Sequence, residues 1–351
     1  MICRPIDWQG QASATDADLP NPSNLVHHLA LPGRKVRRDQ LLKLFGAFEP
    51  CLVGMEACAT AHHWARELGA LGHQVRLMPP AYVKAYVKRN KNDAADAEAI
   101  CEAVTRPTMR FVPIKSVEAQ SVLMLHRARH LLVRQRTAQA SAMRAHLAEY
   151  GIVAAKGISR LRDLLPVLDE GAGMVPELAR QTVLLIAQLI EALTIQIRKI
   201  DTELLRWHRT NAASRRLETI PGVGFITATA MAATVRDARA FRSGRQFAAW
   251  LGLVPRQNSS GGKDRLGGIS KMGDRYLRHL LVIGATAVVR YTRRKTTAIS
   301  LWANRLLERA SRPGWSPLPS PTRWLGSSGP SWLGTRTTAQ FRRPSEGCAK
   351  A

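Results

Sequence analysis

Seven apolar residues, Ile186, Ile190, Leu193, Ile197, Ile200, Leu204 and Trp207, recur at alternating spacings of four and three. That period puts all of them on one stripe of a single α-helix, and such a stripe must be covered by a second apolar surface. Two coverings satisfy the pattern: an antiparallel hairpin with the other helical stretch, Val117 to Tyr150, or a coiled coil between two copies of the chain. Residues 115–210 are therefore expected to form a helical connector, with separately folded regions on either side.

Before the connector the text alternates between two periods. CLVGMEA (51–57) suits a buried strand, TAHHWARELGALG a helix closed by Gly72, and QVRLMPP a second strand stopped by prolines. A helix near Tyr82 to Lys88, another from Asn92 to about Val104, and a strand-like RFVPI (110–114) complete an α/β domain over 34–114. Residues 1–33 carry no apolar period and are expected to be irregular or disordered. After the connector, 211–309 reads as a compact, mainly helical domain. From 310 to 351 the text turns to Pro, Gly, Ser and Trp without a period, as in SRPGWSPLPSPTRWLGSSGPSWLG.

The chain has 351 residues, enough for two or three domains with a sizeable core. Its 52 Lys and Arg against 26 Asp and Glu leave a formal charge of +26, which points to a polyanionic partner, nucleic acid ahead of anionic membrane. Cys3, Cys51, Cys58, Cys101 and Cys348 are scattered and form no CxxC pair, so neither a disulfide framework nor a zinc site is indicated. A soluble protein of the reducing cytoplasm is expected, with no membrane-length apolar run and no signal pattern.

Against this basic background, NKNDAADAEAI (90–100) places Asp93 and Asp96 one turn apart at the head of a helix. Two carboxylates on one helix face can hold a hard divalent cation beside a phosphate, or can simply cap the first turn and favour its dipole. Glu56 ends a buried strand, the place where open α/β sheets put their sites, or else faces solvent at an edge. IPGVG (220–224) resembles the turn of a helix-hairpin-helix module, in which the amides of Gly222 and Gly224 would approach a phosphate; a plain Pro-Gly turn is the alternative. In GLVPRQNSSGGKDRLGGISKMGDRYLR (252–278), Ser259 and Ser260 precede two glycines among Arg256, Lys263, Arg265, Lys271, Arg275 and Arg278. A serine in such a loop can bind a phosphate or attack it. His62, His63 and Glu67 lack the order of a metal motif and suit a surface role, and RYTRRK (290–295) reads as a solvated basic face open to phosphate.

Taken together, GMEAC around Glu56, NKNDAADAEAICEAVTRP, GRQFAAWLGLVPRQNSSGGK and GISKMGDRYLR resemble the DEDD transposases of bacterial insertion sequences, family 110 in its 1111 branch, relatives of the Piv-type invertases. The resemblance runs over roughly residues 34 to 309. It implies a RuvC-like (ribonuclease H-like) N-terminal domain, a coiled-coil connector and a C-terminal transposase domain. It further implies Mg²⁺ held by Glu56, Asp93 and Asp96, the second, third and fourth acidic positions of the family tetrad. Ser260 is then the nucleophile that becomes esterified to DNA, with Ser259 as the fallback. DNA, a structured guide RNA (the bridge RNA) and further copies of the chain, as a dimer or tetramer, are the implied partners.

Two departures accompany the resemblance. The family's first strand bears an aspartate, whereas here MICRPIDWQGQASATDADLP stands in its place, and none of Asp7, Asp16 and Asp18 lies in an apolar strand. The tail after Ser311 replaces a helical ending. Both ends read as shifted in frame, so the first strand is expected to be missing and its neighbour left as an unpaired edge. Two other activities fit the same residues: a nucleic-acid-binding remnant without chemistry, and a junction resolvase that uses metal-activated water.

Overall fold

The structure, a computed structural model, describes residues 2–5, 37–87, 93–153, 155, 157–161, 166, 175–235, 237–292 and 296–310, with the side chains of 2–5, 93, 94, 299, 309 and 310 left aside. Two compact units divide at Ser116 and Val117.

The first unit is built on a three-stranded sheet ordered β1-β2-β3, with β1 Ile2–Pro5, β2 Cys51–Glu56 and β3 Gln74–Met78. β2 and β3 run parallel, from Leu52 opposite Gln74 to Glu56 opposite Met78. Parallel neighbours need a crossover, and α2 (Ala61–Ala70) supplies it. Gly72 closes that helix at φ +92, a conformation natural to glycine. The short α1 (Leu41–Gly46) precedes β2; α3 (Pro80–Val83) and α4 (Asp93–Thr105) follow β3. RFVPI forms no strand: Val112 makes one isolated antiparallel bridge to Leu77.

β1 corrects one expectation. Residues 2–5 pair antiparallel with β2, Ile2 opposite Gly54 and Pro5 opposite Cys51, so β2 has a neighbour on both sides. The pairing was illegible because ICRP is short, ends in proline and takes its partner from nearly fifty residues away. Asp7, Asp16 and Asp18 lie outside the described residues. Of the described cysteines, Cys58 and Cys101 stand outside any disulfide, while Cys51 is disulfide-bonded, which the scattered cysteines did not suggest.

The faces of β2 follow strand alternation. Cys51, Val53 and Met55 pack with Phe45, Ala61, Ala65 and Leu68 of α1 and α2. Leu52 joins the opposite layer, where Ile100 and Val104 of α4 meet Met78 and Val83. Gly54 makes that approach possible, since a Cβ there would lie 3.1 Å from Val104 and 3.2 Å from Ile100.

The second unit begins with two long helices, α5 (Val117–Ala148) and α6 (Glu177–Thr210). Trp207 donates to Glu118, Arg129 pairs with Asp201 and Arg136 reaches Thr194. Numbers rising on one helix meet numbers falling on the other, so the two are antiparallel. All seven stripe residues are buried or half-buried; Ile190 packs with Met143 and Leu147 at one end, Leu204 with Val122 at the other. The stripe is thus covered within one chain.

Beyond α6 come α7 (Ala212–Glu218), α8 (Phe225–Thr234), α9 (Gly244–Trp250), a two-stranded hairpin of β4 (Pro255–Gln257) and β5 (Leu266–Ile269), α10 (Arg275–Thr292) and α11 (Ala298–Ala310). Leu217, Val223, Met231, Phe247, Leu251, Leu253, Leu277 and Leu281 form their common core. Asn211, Ser243 and Asp274 accept the amides of Ser214, Gln246 and Leu277, capping α7, α9 and α10. Among the described residues no helix is long and apolar enough to cross a membrane. The tail after 310 is not described.

Candidate functional site

The carboxylates belong to the first unit. Strand alternation puts Glu56 on the face of β2 shared by Leu52 and Gly54, which is the face α4 covers. On α4, Asp96 precedes Ile100 by four residues and Ala103 by seven, so it lies on the same sheet-facing stripe. Both side chains are half-buried. Asp93 is the first residue of α4, one turn further on that stripe; its side chain lies outside the described residues. Among the described residues, no three His, Cys, Asp or Glu side chains are grouped to hold a metal ion. His63 pairs with Glu67 at 3.7 Å, and His62 meets Lys115 Nζ at 3.0 Å, which accounts for that cluster without a ligand.

The serines sit at the tip of the β4–β5 hairpin in the second unit. Ser260, Gly261, Gly262 and Lys263 form a tight turn closed by the Lys263 amide on the Ser260 carbonyl at 3.1 Å. Gly261 and Gly262 have φ of +55 and +73, the twist that two-residue hairpin loops require. This is why two glycines follow the serines. The two hydroxyls differ in kind. Ser259 Oγ donates to Asp264 Oδ1 at 3.3 Å and accepts the Arg265 amide at 3.1 Å, so it stitches the hairpin. Ser260 is exposed, and no hydrogen bond of its hydroxyl is found among the described residues.

The foot of the hairpin is rigid. Gly252, at φ +73, lets Met272 approach so closely that a Cβ would fall 2.5 Å from its amide nitrogen; one on Gly273 would fall 2.0 Å from the Trp250 carbonyl oxygen. Arg278 is only 9% exposed, and its Nη1 donates to the carbonyls of Leu251 at 2.7 Å and Gly273 at 3.2 Å. One guanidinium therefore ties both ends of the serine arm to α10. Arg256, Lys263, Arg265, Lys271 and Arg275 are exposed around the arm. Arg278 departs from the six cations the sequence grouped together, because burial within a run of like residues leaves no mark in the text.

The IPGVG segment joins α7 to α8 as two packed helices with a tight turn. Gly222 has φ +83, and a Cβ there would lie 2.8 Å from the carbonyl oxygen of Gly284 in α10. Close packing explains this glycine. Gly224 is exposed with nothing near its missing side chain, and it opens the N-terminus of α8. Arg290 is exposed at the end of α10, and residues 293–295 of RYTRRK are not described.

A contact the sequence did not announce joins α5 to α10. His126, 1% exposed, meets the Tyr276 hydroxyl at 3.1 Å through Nδ1 and Thr229 Oγ1 at 3.0 Å through Nε2. The Thr229 proton is spent on the Phe225 carbonyl at 2.7 Å, so Nε2–H donates, Nδ1 accepts and the tyrosine donates. Burial, then Arg129, lowers the His126 pKa to about 4; burial raises that of Tyr276.

The first unit thus carries two carboxylates on one covered face of its sheet, and the second a serine arm ringed by cations. Comparison with known proteins gives the family. Residues 14–152 match the DEDD transposase profile of IS110 elements, and 214–299 match the profile of the transposase IS116/IS110/IS902 family. The chain is 47% identical over 285 residues to a probable family 20 transposase of Pseudomonas aeruginosa, covering 81% of this chain and 84% of that one. It is 41% identical over 278 residues to the transposase for insertion sequence element IS1111A of Coxiella burnetii, covering 79% and 76%. The transposase for element IS1328 of Yersinia enterocolitica is likewise 41% identical over 286 residues, covering 81% and 84%. The chain belongs to the IS110/IS116/IS902 family of transposases. The first match begins at residue 14, upstream of the point where regularity was expected to start, and spans Asp16 and Asp18.

Proposed function

We propose that this transposase exchanges DNA strands through a serine ester, with Ser260 as the nucleophile and Glu56, Asp93 and Asp96 as the ligands of Mg²⁺. The observation that carries the reading is the shared face: Glu56 and Asp96 come from segments forty residues apart and lie on one side of the sheet under α4. Hard carboxylate oxygens, half-buried together in a chain of +26, suit a hard divalent cation better than any structural role. When bound there, such an ion supplies Lewis-acid stabilisation of phosphoryl charge.

In this reading Ser260 Oγ attacks a DNA phosphodiester, the O–P bond of the ester forms, and a deoxyribose hydroxyl leaves with a proton. A hydroxyl from the other strand then reverses the reaction, so the bond energy is kept. Arg256, Lys263, Arg265 and Lys271 hold the flanking phosphates, and the open α8 N-terminus at Gly224 takes another. The Ser260 hydroxyl is exposed, with no hydrogen bond among the described residues. A RuvC-like core, a coiled-coil connector, a structured guide RNA and assembly as a dimer or tetramer complete the proposal by family likeness.

A second reading, a nucleic-acid-binding remnant, draws on β1. ICRP contains no carboxylate, and its C-terminal end lies opposite Cys51, at the far end of β2 from Glu56. A strand-exchange assay with the element ends, guide RNA and Mg²⁺ separates the readings. Exchange lost in both Ser260→Ala and Asp96→Ala supports the recombinase. Duplex binding without exchange in wild type supports the remnant, and activity that survives Ser260→Ala but not Asp96→Ala supports hydrolysis by water.

A further inference from the structure

The His126–Tyr276 contact fixes where α5 and α10 cross, and the exposed side chains around that crossing form a cluster of their own. His130 lies one turn beyond His126 on α5; its ring meets Tyr276 at 5.4 Å and His279 at 6.4 Å between centroids. Arg134 follows His130 by four residues on α5, and Arg275 precedes His279 by four on α10, so each pair shares a helix face. All four side chains are exposed.

We propose that the crossing of α5 and α10 is a binding site for a backbone phosphate of nucleic acid, formed by His130 and Arg134 from one helix and Arg275 and His279 from the other. The site adjoins the foot of the serine arm, since Arg275 follows Gly273 by two residues, and a strand held there passes beside the hairpin.

The electrostatics of the cluster favour this occupant. His130 is held below its ordinary value by partial burial, then by Arg134, His279, Arg275 and Arg129, and no acid appears among the causes. Of the groups facing the crossing, Asp201 of α6 is taken by Arg129 at 2.5 Å, Asp274 caps α10 by accepting the Leu277 amide at 2.9 Å, His126 is buried and neutral, and Tyr276 is a phenol. The guanidinium groups of Arg134 and Arg275 disfavour a protonated His130, and an anion placed among them removes that repulsion and accepts from imidazolium and guanidinium together. The sign follows by linkage: the anion raises the His130 pKa, so the site takes up a proton on binding and binds more tightly below pH 6.5 than above it.

Histidine ring NMR on the full chain, titrated with and without sulfate, reads the site directly, because sulfate stays fully charged across this range. Sulfate raises the midpoint of His130 and leaves buried His126 unmoved. An unmoved midpoint at His130 overturns the site. The choice of nucleic acid as occupant rests on the recombinase reading, and a second arm tests it separately. A His130→Gln, Arg134→Gln variant binds a short DNA duplex about tenfold more weakly below pH 6.5, with a salt slope smaller by about one, and its affinity no longer rises as pH falls. A sulfate response with duplex affinity unchanged in the variant overturns the assignment of the occupant.

Discussion

The hydroxyl of Ser259 accepts the backbone amide of Arg265 at 3.1 Å, while its neighbour Ser260 is exposed on the same turn, its hydroxyl without a hydrogen bond among the described residues. The pair therefore divides into a serine that stitches the hairpin and one that the proposed strand exchange uses as nucleophile. Ser259→Ala removes a hairpin bond worth about 1 kcal/mol and keeps the covalent protein–DNA adduct. Ser260→Ala shifts stability by less than about 0.5 kcal/mol and loses the adduct. Chemical denaturation and denaturing gels of the reaction mixture read the two effects side by side.

Arg278 separates from its exposed neighbours in the same way. Arg278→Leu strands the buried Leu251 carbonyl and the half-buried Gly273 carbonyl and costs about 3 kcal/mol in urea unfolding, with Arg278→Lys intermediate because its ammonium keeps the charge in a different geometry. Lys263→Gln and Arg265→Gln leave the urea midpoint in place. Each lowers duplex affinity and reduces the salt slope by about one.

Gly222 and Gly284 meet backbone to backbone, and a Cβ on Gly284 would lie 1.9 Å from the Gly222 carbonyl oxygen. Gly284→Ala forces α10 away from the α7–α8 turn and costs about 3 kcal/mol. Gly224→Ala, with open space around it, stays within about 1 kcal/mol and reports on ligand approach alone. Thermal unfolding of the two variants gives the comparison.

His126 sets a pH dependence of folding. Its folded pKa, about 4, lies below the unfolded 6.5, so the unfolded chain binds the extra proton between those values. The stabilisation is complete above pH 6.5 and falls, by up to about 3 kcal/mol, as pH drops toward 4. Urea unfolding across that range shows the slope in wild type, and His126→Phe lacks this part of it.

Much of the first unit could be read from residue order, because burial there follows local periods. CLVGME alternates between two packed layers, and Asp96 falls on a helical stripe with Ile100 and Ala103. The helical stripe from Ile186 to Trp207 was equally legible, and its cover became known only from the pairing with α5. Non-local devices escaped. The β4–β5 hairpin is exposed from Pro255 to Gly268, so no apolar alternation marks it, and Arg278 has the same letter as the cations it does not resemble. His126 and Tyr276 are 150 residues apart and neither is part of a motif.

The chemical identity of the protein–DNA linkage is the most direct reading of the proposed strand exchange. Mass spectrometry of the protease-digested adduct, trapped in Mg²⁺ with the element ends and guide RNA, is predicted to find a nucleotide esterified to Ser260 in wild type and no adduct in Glu56→Gln. Strand exchange that proceeds with no protein-linked nucleotide, or with the nucleotide on another residue, would contradict it.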